Sequence, residues 1–108
     1  MKKKMKLIDV VRNKHVFEKL YSGITDFNRV LEIDKKTIEP MERLFKNYDK
    51  KLAAIREEYK DKPEKGDEAY KEMVLQDVEI DFVTITKKEA EKIGFNVFEY
   101  QLVKDLIK

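Results

Sequence analysis

The chain of 108 residues has no cysteine, a single histidine, three glycines and two prolines. Without cysteine there are no disulfides, no thiolate nucleophile and no Cys-based zinc site, and an intracellular life is the natural expectation. Three scattered glycines leave no glycine-rich loop to cradle a phosphate. No apolar run approaches the length of a membrane span. The lysines at the start lead into Lys6, Asp9, Arg12 and Asn13 rather than an uninterrupted apolar core, so the sequence predicts neither export nor insertion.

What is present is charge. Asp, Glu, Lys and Arg make up 43% of the residues, against about a quarter in ordinary domains. The apolar fraction is an ordinary 42%, so one core is expected under a densely charged surface, in a single domain spanning residues 1–108. The net charge is only +2, which gives no global argument for nucleic acid or a membrane. The distribution is uneven. Among the first nineteen residues Lys2, Lys3, Lys4, Lys6, Arg12, Lys14 and Lys19 are opposed only by Asp9 and Glu18. Lys2, Lys3, Lys4, Lys6, Arg12 and Lys14 form a candidate anion-binding patch, with a solvated basic end as the plainer reading.

The organising stretch is residues 38–59, where Ile38, Met41, Phe45, Tyr48, Leu52, Ile55 and Tyr59 recur in alternating steps of three and four. This is a helix with one apolar seam, which needs another helix or a sheet to cover it. Upstream, Thr25 is a candidate cap, and Phe27, Val30 and Leu31 carry the apolar face toward the seam. The preferred reading is one helix over 26–59, kinked at Pro40, because a mid-helix proline lacks a donor and clashes with the Lys36 carbonyl. The alternative is two helices separated near 34–37, with Thr37 capping the second.

The remaining elements follow from local signals. A brief strand is expected at 5–8, then a helix capped by Asp9 and broken at Ser22 and Gly23. The segment 60–67, rich in charge and holding Pro63 and Gly66, reads as a loop, after which Asp67 caps a helix through Leu75 that returns along the long one. Strict alternation of Val78, Ile80 and Phe82 with Asp77, Glu79 and Asp81 predicts a strand over 78–85, whose partner is 5–8. Thr86 and Glu89 form a capping box, and Asn96 caps a last helix. The fold class is α+β, mostly helical, with a long central helix, shorter helices and a small two-stranded sheet.

At this point a resemblance emerges. Met5-Lys6-Leu7 opens the chain, a short helix follows, and a long charged helix closes on Glu57-Glu58-Tyr59. A charged turn, a helix with Lys71-Glu72-Met73 and then Val78-Glu79-Ile80-Asp81 complete the order. This pattern resembles a family of small proteins of unknown function encoded by phages of low-GC Gram-positive bacteria. The likeness covers most of the chain, rests on no catalytic motif and implies a phage genome and a host cytoplasm.

Candidate chemistry is sparse. His15 with Asp9 and Glu18 would be the nucleus of a general base or metal site, but an exposed or core-edge histidine explains it. Asp77, Glu79 and Asp81 share one strand face at about 7 Å spacing and could hold Mg²⁺, although an exposed strand face accounts for them with no metal. Neither a metal nor a cofactor is expected, nor an enzyme. The seam residues Met41, Phe45, Tyr48, Leu52, Ile55 and Tyr59 are the candidate interface, with Tyr70 facing them, and a base or nucleotide stacking pocket is the other use of such aromatics. The sequence therefore suggests a non-enzymatic phage binding or assembly protein that forms a homo-oligomer, its partner being a phage structural protein. The alternative is an inhibitor of host defence that binds a host protein or sequesters a signalling nucleotide, and a metal-dependent phosphohydrolase comes last.

Overall fold

Alternation at both ends of the chain builds the sheet. In the computed structural model, which describes residues 1–108, β1 (Lys2–Lys6) runs antiparallel to β2 (Asp77–Asp81), with Lys2 opposite Asp81, Lys4 opposite Glu79 and Lys6 opposite Asp77. The expected pairing of an N-terminal strand with the alternating segment after Gln76 holds, but β1 starts three residues earlier than 5–8, and β2 ends at Asp81 instead of reaching 85, because Thr37 and not a further strand residue takes up the backbone at Asp81 and Val83. Leu7 and Ile8 instead open α1 (Leu7–Arg12), where Leu7 is buried. Lys6 occupies the cap position and Asp9 sits in the first turn, so Asp9 does not cap this helix.

The first helical stretch is also two helices, α1 and α2 (Lys14–Leu20). At the junction both the backbone N–H and the side-chain amide of Asn13 donate to the Asp9 carbonyl, at 3.1 and 2.8 Å. A side chain competing for a helical carbonyl breaks the ladder there. The chain then turns at Gly23, but not in a left-handed conformation. A Cβ at Gly23 would lie 3.3 Å from Ile93 and Lys92, so it is close approach of the 92–93 segment that requires glycine.

The long helix is continuous from Phe27 through residue 58 as α3 (Phe27–Ile33), a π-helical turn (Asp34–Ile38) and α4 (Glu39–Glu58). Asp26, not Thr25, caps it by accepting the Arg29 N–H at 3.2 Å. The π turn is how Pro40 is accommodated. An α-helical path would ask Pro40 to donate to Lys36. Instead the Glu39 N–H reaches the Asp34 carbonyl five residues back and widens the turn. Thr37 caps nothing; it is fully buried in that turn.

α5 (Pro63–Val74) starts four residues before the expected Asp67. Pro63 stands at the start of the helix, where its missing N–H costs little and its fixed φ suits the first turn. The segment read as a loop is thus mostly helix, and only residues 59–62 make the reversal. Gly66 lies inside α5, where a Cβ would come within 3.2 Å of Tyr59 Cβ, so its absence lets the two helices close on each other.

After β2, both late caps form as expected. Thr86 and Glu89 close a capping box on α6 (Lys87–Ala90), and Asn96 with Glu99 closes another on α7 (Val97–Val103). A 3-10 turn (Lys104–Leu106) leads into the chain end, where Ile85 and Ile107 form a parallel bridge.

One main core joins Val10, Phe17 and Leu20 to Ile33 and Met41 of the long helix, to Ile80, Phe82 and Ile85, and to Val103 and Leu106. The Phe17 and Phe82 rings meet at 5.0 Å in a tilted pair, and both are fully buried. A smaller cluster of Leu7, Met73 and Val74 roots the α4–α5 hairpin. That hairpin projects. The molecule measures 52 × 28 × 20 Å with a radius of gyration of 16.2 Å, against about 13 Å for a compact domain of this length.

Candidate association face

The seam of α4 divides in two along the helix. Met41 at its start is only 2% exposed and belongs to the main core, so it drops out of the expected interface. Phe45 packs on the rim of the same core, with the Lys14 ammonium 4.8 Å from its ring centroid. Tyr48, Leu52, Ile55 and Tyr59 lie farther out, where α5 alone can cover them, and all four stay half-exposed.

These four side chains and α5 enclose an open cleft of about 410 Å³, closed on the other wall by Pro63, Gly66, Asp67 and Tyr70 and edged by Arg56. The hydroxyls of Tyr48 and Tyr70 lie 3.2 Å apart across it. Their hydrogen bond, then burial, pushes the Tyr48 phenol above its ordinary pKa. Asp67 and Tyr70 also border a second, neighbouring trough of about 460 Å³, with Ile8, Arg12, Lys71, Val74 and Leu75. The arm therefore presents aromatic and aliphatic walls interrupted by Asp67, with Arg56 at the edge of the first cleft. This composition suits apolar packing against another surface and offers no acid–base pair.

The other sequence candidates meet one another. The basic N-terminal residues and the acidic row face each other across the β1–β2 ladder. Lys6 binds Asp77 at 2.9 Å, Lys2 approaches Glu79 at 4.0 Å, and the Met1 amino group lies 3.2 Å from Asp81. Lys3 reaches Asp105 at 2.9 Å. The hydrogen bond that Lys6 donates, and then its charge, hold the Asp77 carboxyl below the usual range. Lys14 pairs with Glu18 at 3.8 Å, while Arg12 lines the second trough. His15 is exposed on α2, and no three His, Asp or Glu side chains converge into a metal-binding group.

Two arrangements escaped the sequence. Thr37, expected at most as a cap, donates to the Asp81 carbonyl at 2.6 Å and accepts the Val83 N–H at 3.1 Å. Tyr21 donates to the Val83 carbonyl at 2.8 Å, and burial raises its phenol to about 12. The other is the face of α3. Phe27 and, one helical turn on, Val30 and Leu31 are 72%, 41% and 42% exposed, although their spacing had placed them on the covered side. No helix is long and apolar enough to cross a membrane. Comparison of the chain with protein-family models, with curated proteins and with solved structures gives no match.

Proposed function

We propose that this chain is a small non-enzymatic binding or assembly protein of a phage, and that it associates with a second copy through the outer seam of α4. The half-covered row Tyr48, Leu52, Ile55 and Tyr59 carries the reading. α5 is too short and too displaced to seal it, and a contiguous apolar patch of several hundred Å² rimmed by charge usually marks an interaction site. A two-fold contact brings the same seam from both copies together, so one pattern supplies both halves of the interface. The phage setting rests on the family resemblance alone.

Leu52→Glu tests the association. An ionised carboxylate in a dry, unpaired interface costs several kcal/mol. The half-exposed position should tolerate it in the monomer. Light scattering should show the oligomer lost, while circular dichroism shows helix content retained. An oligomer of unchanged mass in the variant would rule the seam out as the contact.

A further inference from the structure

The two edges of the sheet are unequal. Met1 and Phe82 exchange both ladder hydrogen bonds, at 2.6 and 2.9 Å, and Leu7 donates to Gln76 at 2.9 Å. In an antiparallel ladder hydrogen-bonded positions recur every second residue, so with this register Lys3 and Met5 face β2 with their backbone groups. Lys2, Lys4 and the N–H of Lys6 point the other way, where the sheet has no further strand. On the far edge of β2 the same phase turns the Asp81 carbonyl and the Val83 N–H outward, and there the Thr37 hydroxyl satisfies both. The π turn thus closes the Asp81–Val83 end of that edge. The β1 edge is open.

The open edge is chemically selective. Lys2, Lys4 and Lys6 all point to the exposed face. Lys4 forms no ion pair, Lys2 touches Glu79 only at 4.0 Å with its side chain 73% exposed, and Lys6, which holds Asp77 at 2.9 Å, is half-exposed and can share its ammonium with a second carboxylate. A second copy of β1 added here would set lysine against lysine, which is unfavourable and is how natural sheets prevent edge-to-edge pairing. A strand with carboxylates at alternate positions would instead place each one beside a lysine, at the 4.7–4.9 Å strand spacing, while its backbone completes the unpaired groups.

We propose that the open edge of β1 binds an extended acidic segment of a partner protein by strand addition, its backbone pairing with Lys2, Lys4 and Lys6 and its carboxylates lying beside their side chains. This site is separate from the α4 seam and stands whether or not the chain self-associates.

The probe is a short synthetic peptide alternating glutamate and valine, titrated into the full chain with backbone amide resonances and hydrogen exchange as readouts. The expected result is slowed exchange at Lys2, Lys4 and Lys6 with Lys3 and Met5 unchanged, and no effect from a matching lysine–valine peptide. Lys4→Pro deletes one outward donor together with the Lys4 charge and leaves the β1–β2 ladder intact, so it is read against Lys4→Gln, which deletes the charge alone. Lys4→Pro should bind roughly five- to tenfold more weakly than Lys4→Gln, the worth of one hydrogen bond. The double variant Lys2→Gln, Lys4→Gln keeps every backbone donor, sets no carboxylate against Asp81 or Glu79, and should also weaken binding of the acidic peptide, by about tenfold. Equal acidic-peptide binding by Lys4→Pro and Lys4→Gln, while circular dichroism shows an intact fold, would reduce the site to charge attraction and overturn strand addition. So would the absence of binding at millimolar peptide. Edge protection that rises with the protein's own concentration and no peptide would replace the acidic partner by a second copy.

Discussion

The side-chain oxygen of Thr37 lies 3.1 Å from the backbone nitrogen of Val83, so a hydroxyl on a helix takes the place of a neighbouring strand. It also donates to the Asp81 carbonyl, and the residue is fully buried. The π turn sets Thr37 at this depth, and Pro40 is the reason for the π turn.

Thr37→Val keeps the side chain's shape and removes both bonds. Leaving a buried N–H and a carbonyl unsatisfied should cost roughly 1–3 kcal/mol. Urea unfolding should show a lower midpoint with an unchanged slope, and Thr37→Ser should recover most of the loss. A Thr37→Val midpoint equal to wild type would mean that water replaces the hydroxyl.

Alkaline pH should unfold the protein through Tyr21. Its folded pKa is raised from 10.0 to about 12, mainly by burial, so the neutral phenol is favoured by folding. The stability it contributes is fully present below the unfolded value near 10 and is lost as pH rises through about 12. A shift of this size corresponds to roughly 2–3 kcal/mol. Ultraviolet titration should find a phenol ionising near pH 12, and Tyr21→Phe should remove that step and flatten the alkaline limb of the stability curve.

At the acid end the signs reverse. Glu89 is held low first by the Thr86 N–H, with Arg29 assisting; Glu99 by the Asn96 N–H and then Lys19; and Asp77 by Lys6. Each carboxylate contributes stability above its unfolded pKa, and that contribution disappears as pH falls through the lowered folded value. Thermal midpoints should therefore drop below about pH 4. The double variant Glu89→Gln, Glu99→Gln should be less stable at neutral pH and flatter in acid. A wild-type midpoint level across that range would contradict the assignment.

Much of the fold was legible because its signals are local. Alternation at Val78, Ile80 and Phe82 marked β2, Thr86 with Glu89 and Asn96 marked caps, and the three-and-four spacing marked α4. What escaped depends on contacts across the chain or on competing local bonds. Pro63 and Gly66 read as loop residues, yet Pro63 starts a helix and Gly66 is needed for α5 to approach Tyr59. The split at Asn13 turns on one amide reaching Asp9. On the candidate face, spacing gave Tyr48, Leu52, Ile55 and Tyr59 together, but helical period alone cannot tell that Met41 faces a core and Ile55 a cleft. Likewise a row of lysines and a row of carboxylates each resemble a site until the register sets them side by side.

Self-association through the arm is the central claim, and sedimentation velocity of the wild-type protein from low to high micromolar concentration tests it most directly. The account predicts a concentration-dependent shift from monomer to dimer or a larger closed oligomer, with the Leu52→Glu protein remaining monomeric across the same range. A wild-type monomer at high micromolar concentration, folded by circular dichroism, would contradict it and leave the seam as the covering of α5 alone.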